Sequence, residues 1–162
     1  MGVCSFYRTT IASGLTAMTI RPEAKAYLIR LSMQQQQPLL GDYRQGRFYP
    51  NDYGQIVADE WVRSAQNRKG IDLDLWTLTP NGLRGVVFLQ PALTDQPEGL
   101  AHQKPWLLSS FIAGFKAAAA KRINLRRNQL GQPVWQSNYD EQLIPNNALL
   151  LQVREQILSC NP

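Results

Sequence analysis

The sequence is poor in the residues that build metal and redox sites. It holds one histidine and two cysteines among 162 residues. Cys4 and Cys160 stand at opposite ends with no metal-type spacing, which excludes a zinc finger or a CxxC redox motif and leaves free thiols of a reducing compartment as the expectation. His102, inside DQPEGLAHQKPW, cannot build a multi-histidine site alone and reads as a surface residue. Long apolar runs are missing too, since nothing approaches the ~18 residues of a membrane span. The opening MGVCSFYRTTIASGLTAMTI lacks the basic start and continuous apolar stretch of a signal peptide. Phe6 stands where an N-terminal acylation pattern wants Ser or Thr. Residues 1 to about 22 are therefore expected to be a loosely attached leader, followed by a single domain over 23–162, with the cytoplasm as compartment.

What is present is ordinary for a globular domain: 44% hydrophobic and 18% charged residues, with a net charge of +5. Such a balance suits a polyanion partner, although charge excess by itself bears mainly on solubility and non-specific attraction. AYLIRLS (Ala26–Ser32) reads as a buried strand. MQQQQPLLGDYRQGRFY reads as a loop or strand edge, with turn signals at Pro38, Gly41 and Gly46. NDYGQIVADEWVRSAQNR reads as a helix, with Asn51 or Asp52 as cap and Ile56, Val57, Glu60, Trp61 and Ser64 on neighbouring turns.

IDLDLWTLT and LRGVVFLQ read as two strands joined at PNG, with Asn81-Gly82 as a two-residue hairpin turn. Residues 91–105 carry three prolines and read as a loop. Trp106–Leu130 is the longest helical pattern, stopped by Gly131 and Pro133. VWQSNYDEQLI is extended, and a final helix follows Pro145. The order strand, helix, strand, strand, helix, strand, helix implies an α+β, ferredoxin-like antiparallel sheet with helices packed on one face, plus a C-terminal helix.

Five segments occur together in a telling order: YGQIVADEW, DLDLWTLTPNGLRGVV, FIAGFKAAAAKRIN, PVWQSNYDEQLI and VREQILSCNP. On these the chain resembles the REP-associated tyrosine transposases, a branch of the single-tyrosine HUH transposases, from about Ala26 to Pro162. The resemblance implies a ferredoxin-like core that cuts single-stranded DNA beside small hairpins. It further implies two histidines flanking one apolar residue that hold a divalent metal against the scissile phosphate, and a tyrosine on the last helix that attacks it.

Carried across residue by residue, the histidine positions fall on Gly82 and Arg84 of PNGLRG, and the tyrosine position on Gln156 of REQI. Glycine has no ligating atom, and arginine is a permanent cation without a lone pair. Glutamine is no phenolate nucleophile. No metal and no cofactor are therefore expected. Tyr139 in SNYDEQ matches a different aromatic position of the family and reads as core or interface rather than as a shifted nucleophile.

The remaining candidates for nucleic-acid contact are Lys116, Lys121, Arg122, Arg126 and Arg127 at the basic helix end, with Arg84. Against them stand plainer readings. The helix end is equally a solvated terminus whose cations suit the dipole. Arg84 also reads as a surface arginine on a strand, paired with Asp72 or Asp74, and Trp135, Gln136, Tyr53 and Trp61 read as packing residues. Three functions remain open: a non-cleaving binder of hairpin or single-stranded DNA, a protein-interaction module using the former active-site face, and a nuclease with a substitute nucleophile. Monomer and homodimer are both compatible with the sequence.

Overall fold

The computed structural model describes residues 24–90 and 106–159. The leader, Cys4, the 91–105 loop, His102 and Cys160 lie outside the described residues. In chain order the elements are β1 (Lys25–Ser32), β2 (Gly41–Arg44), β3 (Arg47–Pro50), α1 (Asp52–Gln66), β4 (Ile71–Thr79), β5 (Gly82–Leu89), α2 (Trp106–Arg126), β6 (Asp140–Ile144) and α3 (Asn147–Leu158). The main sheet runs β4-β5-β1-β6 and every neighbouring pair is antiparallel. With the β2–β3 ribbon set aside, this is the ferredoxin-like α+β order expected from the sequence. No helix among the described residues is long and apolar enough to cross a membrane.

One expectation changes. The helices do not all lie on one face. On one side, α1 and α2 cover Tyr27, Ile29 and Leu31 of β1 and Leu83, Val87 and Leu89 of β5. Trp61 packs there between Phe111 and Phe115, tilted to the first and edge-on to the second, with ring centroids 5.1 and 5.0 Å away. On the other side, Leu150, Val153 and Ile157 of α3 cover Ala26, Leu28, Val86, Phe88 and Ile144. The reason is visible in AYLI and VVFL. Strands apolar at consecutive positions present apolar side chains to both faces, and both must be covered.

A second change concerns the hairpin. Thr79 pairs with Gly82, so the turn is Pro80-Asn81 rather than Asn81-Gly82. Neither Asn81 nor Gly82 takes a positive φ. Proline fixes φ near −65°, which suits the first corner of a type I turn. The turn is held from outside: Met33 N–H donates to the Asn81 carbonyl at 2.8 Å and Leu40 N–H to the Pro80 carbonyl at 2.9 Å. The Asn81 amide donates to Gln36 Oε1 at 2.8 Å, so the glutamine tract buttresses the hairpin.

A third difference lies in GDYRQGRFYP, expected within a loop or strand edge, which forms the β2–β3 ribbon. Its Gln45-Gly46 corner has φ of 50° and 76°, the double positive φ of a type I′ turn. Gln45 is not a residue that advertises that conformation, and the strands are short and mostly polar. The expected helix to Leu130 stops at Arg126, because Asn128 turns left-handed (φ 54°) and Gln129 N–H folds back onto the Asn124 carbonyl at 2.9 Å.

Candidate nucleic-acid interface

Side chains on β5 alternate between the two faces. Gly82 and Arg84 therefore share the α3 side with Val86 and Phe88. Along the sheet this side divides in two. Its apolar half lies under α3, and its polar half, near the Pro80-Asn81 turn, carries Arg30 and Ser32 of β1, Arg84 of β5, and Thr77 and Thr79 of β4.

Gly82 has a steric reason to be glycine. A β-carbon there would fall 2.1 Å from the Leu31 carbonyl oxygen, on backbone that cannot swing aside. Arg84 is exposed, and it lies directly across from Arg30 in the β1–β5 register. Neither guanidinium has a hydrogen bond or ion pair among the described residues. The pairing of Arg84 with Asp72 or Asp74 does not occur: Asp72 accepts from the Gln90 amide, and Asp74 is taken by Arg154.

Two residues of β4, Asp74 and Leu75, oppose one residue of β5 at a bulge between Leu73 and Trp76. Leu75 joins the core under α3. Asp74 meets Arg154 of α3 through two parallel bonds, Nε to Oδ2 at 2.7 Å and Nη2 to Oδ1 at 3.0 Å. The two side chains are only 11% and 13% exposed. This two-pronged pair, together with the Asn146 side chain capping the helix through Leu149 N–H at 2.9 Å, anchors α3 to the sheet. Two residues after Arg154, Gln156 is exposed.

Gly82 and Arg84 face the side of the sheet that α3, which carries Gln156, covers. They do not fit a divalent metal. One position cannot hold a side chain, and the next holds a cation with no lone pair to offer. Among the described residues no three His, Cys, Asp or Glu side chains converge to hold a metal ion.

The basic end of α2 lies on the opposite side of the sheet and is largely engaged within the protein. Arg122 Nη1 meets the buried Glu60 carboxylate at 2.8 Å and Arg122 Nη2 meets Asp59 at 3.6 Å. Arg126 reaches Asp52 at 2.5 Å. Lys116 Nζ donates to the carbonyls of Gln136 and Ser137 at 2.5 and 3.2 Å, and its burial lowers its pKa from the usual lysine value. Arg127 Nε donates to Asn124 Oδ1 at 2.8 Å. Lys121 is exposed with no partner among the described residues.

Tyr139 packs with the α1/α2 core, its hydroxyl donating to Glu141 Oε2 at 2.8 Å. Burial, then this bond to Glu141, push its pKa up, against a smaller opposing contribution from Ser109. A phenol so placed resists becoming a nucleophile. Trp61 and Trp135 are buried, Trp135 against Phe115 at 5.5 Å, and Tyr53 packs at the edge of the same core. Gln136 serves through its backbone carbonyl. Sequence reasoning missed Arg30, whose only signal was a lone charge inside AYLIRLS. It also missed the role of Arg154, which is the arginine of the REQI segment.

No family model matches the sequence, and no curated protein sequence matches it. Solved structures do resemble it. A REP-associated tyrosine transposase bound to a REP hairpin superposes with a TM-score of 0.56 at 12% identity, over 90% of this chain and 70% of that one. A protein of Deinococcus radiodurans R1 with a provisional transposase assignment gives a TM-score of 0.45 at 14% identity, over 91% of this chain and 95% of that one. The first of these superpositions shows that this chain has the fold of a REP-associated tyrosine transposase.

Proposed function

We propose that the chain is a divergent relative of the REP-associated tyrosine transposases that binds DNA, as a hairpin or single strand, without cutting it. The observation that carries this reading is at Gly82, where a β-carbon would lie 2.1 Å from the Leu31 carbonyl oxygen. The backbone is closed against any metal ligand at that position, and the next position on the same face is Arg84. A guanidinium cannot polarise a phosphate as a Lewis acid, yet it binds one well through paired charge-assisted hydrogen bonds. Gln156 offers an amide where the family's chemistry needs a phenolate. That the structural neighbour holds a DNA hairpin supports DNA as the partner class.

An anisotropy titration of hairpin-tailed DNA at low salt tests the reading, run with and without EDTA. Binding that EDTA leaves unchanged, and no covalent adduct on a denaturing gel after incubation with manganese, are the expected results. No binding would sink the DNA reading, and an adduct would sink the non-cleaving part of it.

A second reading has one observation of its own. Leu151 and Leu158, seven positions apart on α3, are 57% and 44% exposed and fall on one helical stripe. That stripe suits a protein partner rather than a phosphate. A pull-down that recovers a stable protein partner, lost on L151S together with L158S, would favour this reading over the first.

A further inference from the structure

The geometry points to Arg30 and Arg84 as a metal-independent clamp for one phosphodiester oxyanion. This rests on the nucleic-acid reading for the identity of its ligand, and on strand register for the site itself. Arg30 and Arg84 are direct cross-strand partners in β1 and β5. Like charges directly opposite each other on one sheet face repel, so the arrangement costs stability unless something neutralises it. Four other arginines form ion pairs within the protein: Arg44 with Asp42, Arg122 with Glu60, Arg126 with Asp52 and Arg154 with Asp74.

Among the described residues no carboxylate forms an ion pair with either guanidinium. Across β4 the neighbour of Arg84 is Thr77, whose hydroxyl donates to the Leu78 carbonyl at 3.3 Å. Across β6 the neighbour of Arg30 is Asp140, in register but exposed and forming no ion pair with it. One step along, Ser32 of β1 lies opposite Gly82, half-buried, its carbonyl accepting from Gln136 N–H at 2.9 Å and its hydroxyl without a partner among the described residues. Two guanidinium forks and a hydroxyl therefore gather on one open strip of sheet. Fork geometry favours an oxyanion that presents several acceptors at once, and the phosphodiester group does. The clamp takes no part in any bond making or breaking.

The experiment uses the full chain as wild type, R30Q, R84Q and R84K, with K69Q as a charge-matched control on exposed Lys69 at the other end of β4. Hairpin-tailed single-stranded DNA is titrated over a salt series with EDTA present. R30Q and R84Q should each weaken binding about tenfold and flatten the plot of log affinity against log salt by about 0.7, one phosphate contact on a single strand. R84K should keep the slope and lose part of the affinity, and K69Q should change neither. In buffer of low anion content R30Q and R84Q should melt higher than wild type, because the repulsion is gone. Inorganic phosphate should raise the melting temperature of wild type and leave that of both glutamine variants unmoved.

Unchanged slopes with an unchanged phosphate response in both glutamine variants would overturn the clamp while leaving DNA binding intact. A phosphate response lost in both variants supports the clamp even where wild type binds no DNA. That result would remove the nucleic-acid reading alone.

Discussion

The two faces of the sheet treat their arginines in opposite ways. On the α1/α2 side, the cations that crowd the sequence at 116–127, Lys121 excepted, bond within the protein itself. Arg122 and Arg126 tie α2 to the acidic side of α1, and Lys116 holds the extended segment that follows α2. On the α3 side, Arg30 and Arg84 stand opposed with no ion pair among the described residues. A cluster of basic residues in sequence therefore need not be a cluster of unpaired cations. What matters is whether each cation already has an acid or a carbonyl within reach, and tertiary packing decides that.

The contrast can be broken at its strongest point first. Arg154 is the exception on the α3 side, because it is paired and almost buried. R154A leaves Asp74 buried without its counter-charge, and urea unfolding should show a loss of about 3 kcal/mol. D74N together with R154M, which removes both charges, should recover much of that loss. Next in size, G82A pushes a β-carbon into the Leu31 carbonyl. The expected cost by the same measurement is about 2 kcal/mol, the scale of forced overpacking. A G82A protein as stable as wild type would show that β5 can move away, and would reopen that position to a ligating side chain.

On the other face, R122A strands the carboxylate of Glu60, which is buried while its partner is 37% exposed. After discounting for screening, the loss should be about 1.5 kcal/mol. DNA affinity should not change. R126Q removes an exposed pair with Asp52 and should leave the unfolding midpoint where it was.

The smallest effect is a pH dependence. Burial, then the Glu141 carboxylate, raise the pKa of Tyr27 above 10.0, and burial with the Glu141 bond raises that of Tyr139. The folded state holds these protons more tightly than the unfolded chain does. Their contribution is therefore complete below pH 10 and declines as the pH climbs through the raised values. Lys116 acts in the opposite sense, since its lowered pKa makes stability rise with pH up to its unfolded value of 10.5. Y139F should flatten the decline above pH 10 in a series of thermal melts, and an unchanged slope would remove Tyr139 as its source.

Much of the architecture was legible in advance. Ile71–Thr79 alternates well enough to give β4 its observed limits, and Asn51 caps α1 as its position before an amphipathic run suggests. Several particulars were not. Asn-Gly is the stronger turn signal in isolation, but the pairing of Thr79 with Gly82 moves the turn back to Pro80-Asn81. The carbonyls of Pro80 and Asn81 are then claimed by Leu40 and Met33. Those partners are 40 and 48 residues away in the chain, beyond the reach of any local pattern. Arg84 was identifiable as a candidate. Arg30 was not, because its significance comes from the strand opposite rather than from its neighbours in the chain.

The sequence by itself determined the element order, the apolar strands that demand cover on both faces, and the residue types at the three positions of resemblance. Those depend on local periodicity and on side-chain chemistry, and both can be read one residue at a time. Only the tertiary structure decided which cations are free. It set Arg122 against Glu60 and Arg154 against Asp74, left Arg30 facing Arg84, and closed the backbone over Gly82. Each of these depends on distances between segments far apart in the chain. Electrostatic pairing and steric exclusion act through those distances, so only the folded protein could settle them.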